Sequence, residues 1–398
     1  MSSGTEIIRI AAKGDGVTAD GKHFAGAVTG DHVRADGSID HGPHHATPPC
    51  RHFGPCGACQ LQHADEAALE QFVRERVAYA AESQGIEVGE LLPTHLSPLN
   101  SRRRVTLHGM RTAKGAVLGF REERSNRVVD LRECHVMQPE LFALVDPLRR
   151  LVAEHGGRGS SDIMLSSTDQ GVDCSIGNFA MEGLEATEAV LDFARENGLA
   201  RVNVDMGYGA EAVWEPQAVT VMLSGAPVAY PAGAFLQATH DAEALMAQDA
   251  TEWLEGAQNV ADLFAGLGTF AFALAESRQV TAIEAARDAH LACLAAARRS
   301  GKRIEAQHRD LFRNPLQPDE LAAFDAVVLD PPRAGAREQI ATIAQSSLER
   351  VVYISCNPSS WARDAAQLSA AGFRLAKLRP VGQFRWSTHV ELTSLFVR

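Results

Sequence analysis

Three cysteines, Cys50, Cys56 and Cys59, crowd into ten residues, and Cys134 stands alone 75 positions further on. Four thiols in that arrangement suit an iron–sulfur cluster or a tetrahedral zinc, and spacing alone leaves both open. His52 and His63 lie nearby but read as packed or solvated rather than as ligands. Cys356 is of another kind. It sits in Ser355-Cys356-Asn357-Pro358, directly after the apolar run RVVYI. A cysteine just past the end of a strand is placed to attack a substrate, whereas a packing cysteine belongs within the strand. Asp330-Pro331-Pro332-Arg333 follows the run DAVVL in the same way. Prolines there stiffen the chain at the strand's C-terminal end, the edge where open α/β sheets bind ligands. Upstream, Asp262-Leu-Phe264-Ala-Gly266-Leu-Gly268-Thr269 joins a strand to a helix. Its glycines permit a sharp turn and close approach of a ligand. Glu284 ends the next strand, 22 residues after Asp262, where a carboxylate can hold ribose hydroxyls. This half-site fits NAD and S-adenosylmethionine equally.

Positioning these groups calls for a particular set of elements. From about residue 240, short apolar strands alternate with alanine-rich helices: NVADLFAG then AFALAES, QVTAIEA then AARDAHLACLAAARRSG, FDAVVLDPP then REQIATIAQSS. Such strands imply a parallel sheet covered on both faces. FRLAKLRP and HVELTSLFVR supply two more strands at the end. Residues 95–230 read as mixed α and β, with strand candidates RRVTLHGM, AVLGF, RVVDL, RVNVDM and AVTVML. Residues 64–84 have helical spacing, with Leu69, Phe72, Val73, Val77 and Ala80 on one face. Residues 5–46 alternate short apolar runs with turn signals, as a small β-rich unit would. The division expected is 1–46, a small β-rich unit; 47–235, a central domain with the cysteines and a binding surface; and 236–398, a nucleotide-binding domain. Part of 62–93 is allowed to pack on the last.

Charge and composition narrow the classes. Hydrophobic residues make up 45% and charged residues 22%, ordinary for a globular chain. No stretch reaches the roughly 20 apolar residues of a membrane helix, and no signal peptide is evident, so a cytoplasmic location and no membrane partner are expected. Seven cysteines, odd in number and sparse, argue against a secreted disulfide framework. The net charge of −12 argues against nucleic-acid binding. Residues 100–132 reverse this locally, with nine Arg or Lys against three acids, among them Arg102, Arg103 and Arg104. A basic segment of that density can track a phosphate backbone, and the alternative is a solvated face.

The ordered set DLF.G.G, DPPR, SCNP and Thr388-His389-Val390-Glu391, preceded by Gly233-Ala-Phe235-Leu-Gln237, resembles the uracil-C5 RNA methyltransferases acting on tRNA and ribosomal RNA. The resemblance covers nearly the whole chain. It implies an α/β fold: a C-terminal Rossmann-like class I methyltransferase domain, a central mixed α/β domain and a small N-terminal β-rich unit similar to a reduced RNA-binding barrel. It implies S-adenosylmethionine as cofactor, with Gln237, Phe264, Glu284 and Asp330 around it. It makes Cys356 the nucleophile that adds to C6 of uracil and Glu391 the base that removes the C5 proton. Cys50, Cys56, Cys59 and Cys134 match the family's cluster-containing branch, which implies a [4Fe-4S] cluster. The partner is RNA, ribosomal RNA favoured over tRNA, and the chain is expected to be a monomer. Several positions depart from the family pattern: Thr239, Ala265 and Thr269 stand where Asn, Cys and Asn are common, and Gly382-Gln383-Phe384-Arg385 replaces Asp-x-Phe-Pro. These bear on substrate and cofactor contacts more than on reaction type. The rival readings are a cytosine-C5 or radical methylase, and a non-catalytic iron–sulfur RNA-binding protein. The CxxxCxxC run typical of radical enzymes is absent here, cytosine enzymes lack this HVE terminus at the matching distance, and a non-catalytic protein has no use for Cys356 and Glu391 together.

Overall fold

The computed structural model describes residues 4–179, 181, 183–207 and 209–398. Its dominant feature is a nine-stranded sheet built almost wholly from the C-terminal half. Its strands are β1 (Val88–Leu91), β2 (Asn259–Leu263), β3 (Gln279–Glu284), β4 (Ile304–His308), β5 (Ala326–Leu329), β6 (Arg350–Ser355), β7 (Arg374–Gly382) and β8 (Glu391–Val397), in the order β4-β3-β2-β5-β6-β8-β7-β1, with His95–Leu96 alongside the end of β7. β4, β3, β2, β5 and β6 run parallel, and β8 is antiparallel to both its neighbours. The order reverses between β2 and β5, which opens a crevice beyond their C-terminal ends. β5 is buried at all four residues, as its unbroken AVVL run requires.

Helices α1 (Glu66–Glu82), α2 (His240–Trp253), α3 (Thr269–Leu274), α4 (Arg287–Ser300), α5 (Arg337–Gln345) and α6 (Pro358–Ala370) accompany this sheet. Asp65 caps α1 by accepting the Ala68 N–H, and the five apolar residues of its expected face are all buried. α1 packs on α6 and β7, and β1 extends the sheet, so residues 66–96 are part of this half. The hairpin Thr220–Leu223 and Ala226–Ala229 buries Val221, Leu223 and Val228 in the same core as Met246, Phe270 and Cys293. The core of this half therefore also takes in residues before 236.

The central region is a six-stranded sheet with the order Ala210–Trp214, Arg201–Asp205, Gly171–Gly177, Ser160–Thr168, Arg104–Thr112, Gly115–Gly119. Helices Val145–His155 and Gly183–Glu196 share its core. Ser160–Thr168 and Gly171–Gly177 lie mid-sheet yet are absent from the strand candidates. Their serines and aspartates dilute the alternation, and Asp173 is buried against Arg201 and Asn203 instead of facing water. Conversely, RVVDL is not a strand. It runs as irregular chain past Gly115–Gly119, where a Cβ on Gly119 would lie 2.1 Å from the Val129 carbonyl oxygen. The N-terminal unit is a five-stranded sheet over a small core of Ile7, Ala27 and Val33. No helix among the described residues is long and apolar enough to cross a membrane.

Candidate active site

The turn after β2 carries the first half of the site. Phe264 adopts φ 63°, a left-handed conformation that a bulky residue reaches only under constraint. The constraint is visible: the Glu284 carboxylate accepts the Gly266 N–H at 2.8 Å and the Ala286 N–H at 2.6 Å, tying the ends of β2 and β3 together. Gly268, at φ 96°, lies against Phe272 and Cys293, and a Cβ there would come within 3.0 Å of both. Asp262 is wholly buried beneath this turn and accepts the Ala271 N–H at 2.8 Å; burial pushes its carboxyl up to about 8. The Phe264 ring faces Phe312 at 5.3 Å, an apolar wall beside the Glu284 carboxylate.

A cavity of about 1460 Å³ opens from this turn across the ends of β5, β6 and β8. Gln237, Phe264, Glu284, Asp330, Cys356 and Glu391 all line it. Six residues spread over 155 positions of chain thus meet in one space. Its apolar wall, its open turn at Gly266 and its acceptor at Glu284 fit the adenosine part of S-adenosylmethionine. Gln237 Nε2 donates to Asp330 Oδ2 at 2.9 Å. Burial, then the charges of Glu391 and Asp262, hold the Asp330 carboxyl well above the usual range. Burial raises Glu391 to about 7, and a hydrogen bond from Gln383 opposes the rise. Burial and the charges of Glu391 and Asp330 push the Cys356 thiol up to about 11, while Arg333 lowers it. The carboxylate at 391 is therefore poised near neutrality, and Cys356 rests as a thiol. The Asp330-Pro-Pro-Arg333 turn is held from behind: the Arg333 carbonyl accepts Asn357 Nδ2 at 2.9 Å and Ser360 Oγ at 3.0 Å.

The cysteine segment forms another wall of the same cavity. Gly57, Ala58 and Gln60 line it, although none of the four cysteines does. The Trp386 carbonyl accepts the N–H groups of Gln60 at 2.7 Å and Leu61 at 2.9 Å, with Trp386 itself at φ 61°. The stretch that leads into Glu391 is thus pinned to the residues just after Cys59. All seven cysteines are free of disulfides. Burial raises the thiols of Cys50, Cys134, Cys56 (to about 11) and Cys59 (to about 12), and Cys134 adds charge repulsion at each of the other three. Arg102 lies close enough to lower Cys56, Cys59 and Cys134, and its guanidinium stacks over Phe384 at 5.3 Å inside the cavity. Cys56 and Cys59 are buried and Cys50 and Cys134 half-buried, and four thiols are the donor chemistry of an iron–sulfur cluster. Among the described residues, however, no three His, Cys, Asp or Glu side chains converge as ligands of a metal ion.

The basic segment is not the continuous RNA face that its charge count suggests. Arg103 is 1% exposed, donates to the Gln237 carbonyl at 2.9 Å and pairs with Glu243 at 2.5 Å. Arg104 stacks on Phe235 at 5.4 Å. Arg121, Arg124, Arg127 and Arg132 pair with Asp162, Glu123, Glu122 and Asp130. Arg103 turns inward just before the strand Arg104–Thr112, and four of the other eight charges are paired with acids. Arg102, Arg121 and Arg124 remain at the cavity.

Two functional neighbours escape sequence reasoning. Arg333 carries the cation nearest Cys356 but reads only as the end of a motif. Gln383 is 2% exposed between Gln237 and Glu391, and nothing in its local sequence marks it. Thr239 turns out to cap α2, its hydroxyl accepting the Ala242 N–H.

Comparison with known proteins agrees with this geometry. The tRNA (Uracil-5-)-methyltransferase family matches residues 228–398. An RNA methyltransferase of Zymomonas mobilis is 46% identical over 394 residues, covering 99% of both chains. The 23S rRNA (uracil(1939)-C(5))-methyltransferase RlmD of Chromohalobacter salexigens is 33% identical, covering 89% of this chain and 77% of its own. In fold, the chain is similar to the Pyrococcus abyssi tRNA (uracil-54, C5)-methyltransferase solved with S-adenosyl-L-homocysteine, at a TM-score of 0.76 and 20% identity, over 98% of this chain and 99% of the other. With Cys356, two carboxylates and the crevice beyond β2 and β3 lining one cavity, the chain belongs to the uracil-C5 RNA methyltransferase family, enzymes that methylate RNA from S-adenosylmethionine.

Proposed function

We propose that this enzyme methylates C5 of one uridine in 23S ribosomal RNA through a covalent cysteine adduct. The observation that carries the reading is the single cavity with Cys356, Asp330 and Glu391 at one end and the Phe264–Glu284 crevice at the other. C5 of uracil is a weak nucleophile. Bond formation between Cys356 Sγ and C6 moves the C5–C6 π electrons toward O4 and gives C5 enolate character. S-adenosylmethionine supplies the methyl group, and the reading places Phe264 and Glu284 against its adenosine. Glu391 then takes the C5 proton, and the electrons of that bond rebuild C5=C6 as the thiolate leaves. Arg333 favours the thiolate, which the carboxylates of the site disfavour. Gln237 and Asp330, joined by a hydrogen bond, form the polar side of the base pocket. A base stacked in folded RNA must be turned out to reach it.

The preference for ribosomal RNA rests on RlmD, the 23S rRNA enzyme to which the chain is 33% identical. Residues 1–46, 47–235 and 236–398 are read as an RNA-binding β unit, a cysteine-bearing RNA-facing domain and the catalytic domain, with 66–96 and the hairpin at 220–229 going with the catalytic domain, in a monomer. Cys50, Cys56, Cys59 and Cys134 would hold a [4Fe-4S] cluster that stiffens the cavity wall next to Glu391 and takes no part in methyl transfer. The test is transfer of labelled methyl to total RNA from a strain lacking the gene, with 5-methyluridine mapped by position. One ribosomal uridine gained on adding the protein is the expected result; label in tRNA alone rejects the ribosomal assignment, and no 5-methyluridine rejects the reading.

A further inference from the structure

The Gln383 side chain lies between the two carboxylates that the proposed reaction uses, and its orientation follows from its partners. The Ala238 N–H can only donate, so the atom facing it at 2.9 Å is the carbonyl oxygen Oε1. Nε2 then points the other way. One of its N–H groups donates to Gln237 Oε1 at 3.0 Å, and the other is left for Glu391, which pairs across β7 and β8 with Val381, two residues before Gln383. This settles Gln237 in turn: its oxygen is occupied as an acceptor, so its Nε2 faces Asp330 as a donor.

We propose that Gln383 is a positioning residue for methyl transfer, linking Glu391 to Gln237 and Asp330 and setting the direction of the hydrogen bonds between the two carboxylates. The proposal rests on Glu391 being the base. Its physical content is that two carboxylates share one buried cavity and repel each other. The two amides in series present an N–H to each of them. Without Gln383, Gln237 is free to turn its amide over and bring Oε1 against Asp330, and Glu391 loses a donor that favours its charged form. The other charged or titratable groups around Glu391 are Asp330 from β5, Arg333 from the turn after it, Cys356 from the end of β6 and His389 from its own segment, with Asp262 behind Asp330. None of these donates to Gln237 in place of Gln383.

Gln383→Met keeps the volume and removes both hydrogen-bonding ends. The full-length protein is treated with iodoacetamide across a pH series, and alkylation of Cys356 is followed by mass spectrometry of its peptide. Ionised Glu391 disfavours the thiolate, so the wild-type log rate should rise with pH, flatten near pH 7 as Glu391 ionises, and rise again. In Gln383→Met the flattening should move up by about one unit, and in Glu391→Gln it should vanish. In methyl transfer, kcat of Gln383→Met should fall on the order of 10-fold, with the acid limb moved the same way and S-adenosylmethionine affinity within about twofold. A flattening that stays in place, with kcat within about twofold, overturns the proposal. Should Gln383→Met fail to bind S-adenosylmethionine, Gln383→Asn, one methylene too short to span both partners, is read by the same shift. Methylation by the wild type with no Gln383-dependent shift rejects the positioning role alone. A wild type that shows the shift yet forms no 5-methyluridine rejects the proposed function and leaves the hydrogen-bond chain standing.

Discussion

The turns at the ends of β2, β5 and β6 and the basic segment at residues 100–132 both carry candidate functional side chains, and they behave in opposite ways. At the strand ends, Phe264, Asp330 and Cys356 all open into one cavity. Parallel strands of a doubly wound sheet all finish on the same edge, so residues just past their ends are brought together by topology. In the basic segment the nine charges scatter: Arg103 goes inside to Glu243, and four arginines pair with neighbouring acids. No rule of topology collects charges on an antiparallel sheet. Their fate depends on which acids lie within reach, whether in the same segment, on the adjoining strand or on α2.

The contrast can be broken most sharply at Cys356. Cys356→Ala should abolish methyl transfer, a loss of at least about 10⁴-fold, along with any covalent RNA adduct on denaturing gels. Retained turnover would mean that the cavity works without its nucleophile. Next comes Glu391→Gln, which should lower turnover by about 10²- to 10⁴-fold while methylated adduct accumulates, because addition and methyl transfer precede proton removal. The same residue sets the pH dependence. A base must be deprotonated to act, so the wild-type rate should fall about tenfold per unit below the Glu391 value of about 7 and level off above it. A rate flat from pH 5 to 8 would place the base elsewhere.

Two further tests address the other region. Anaerobically purified protein should be brown and hold about four irons per chain, and Cys134→Ser should bleach it. Because Gln60 and Leu61 hold Trp386, that variant should also lose about 10-fold in methyl transfer with S-adenosylmethionine affinity unchanged. One zinc and no sulfide would replace the cluster with a zinc site. Arg103→Ala should destabilise the fold by about 3 kcal/mol, leaving Glu243 buried without its partner, as read by thermal melting. Arg124→Ala, at an exposed pair, should change stability by less than about 1 kcal/mol and act only on the salt dependence of RNA binding. If the two arginines gave equal changes in melting, the distinction between buried and solvated members of the segment would fall.

What could be known from the chain alone concerns local order. The apolar runs at 259–263, 326–329 and 350–355 identified buried parallel strands because a strand covered on both faces has no polar alternation to confuse. The motifs at their ends followed, and so did the five-residue apolar face of α1. Ser160–Thr168 escaped because Ser161 and Ser166 are buried against Asn178 and Tyr230, partners distant in sequence. Tertiary structure alone decided that the residues after Cys59 support the segment leading to Glu391, that Arg103 is a clamp, and that Gln383 lies between Gln237 and Glu391. Each depends on contacts between residues more than 100 positions apart. A hydrogen bond leaves no periodic trace in sequence: one glutamine reads the same whether it faces water or a buried carboxylate. Only the fold brings Gln237 and Ala238, from the segment that enters α2, against Gln383 at the end of β7.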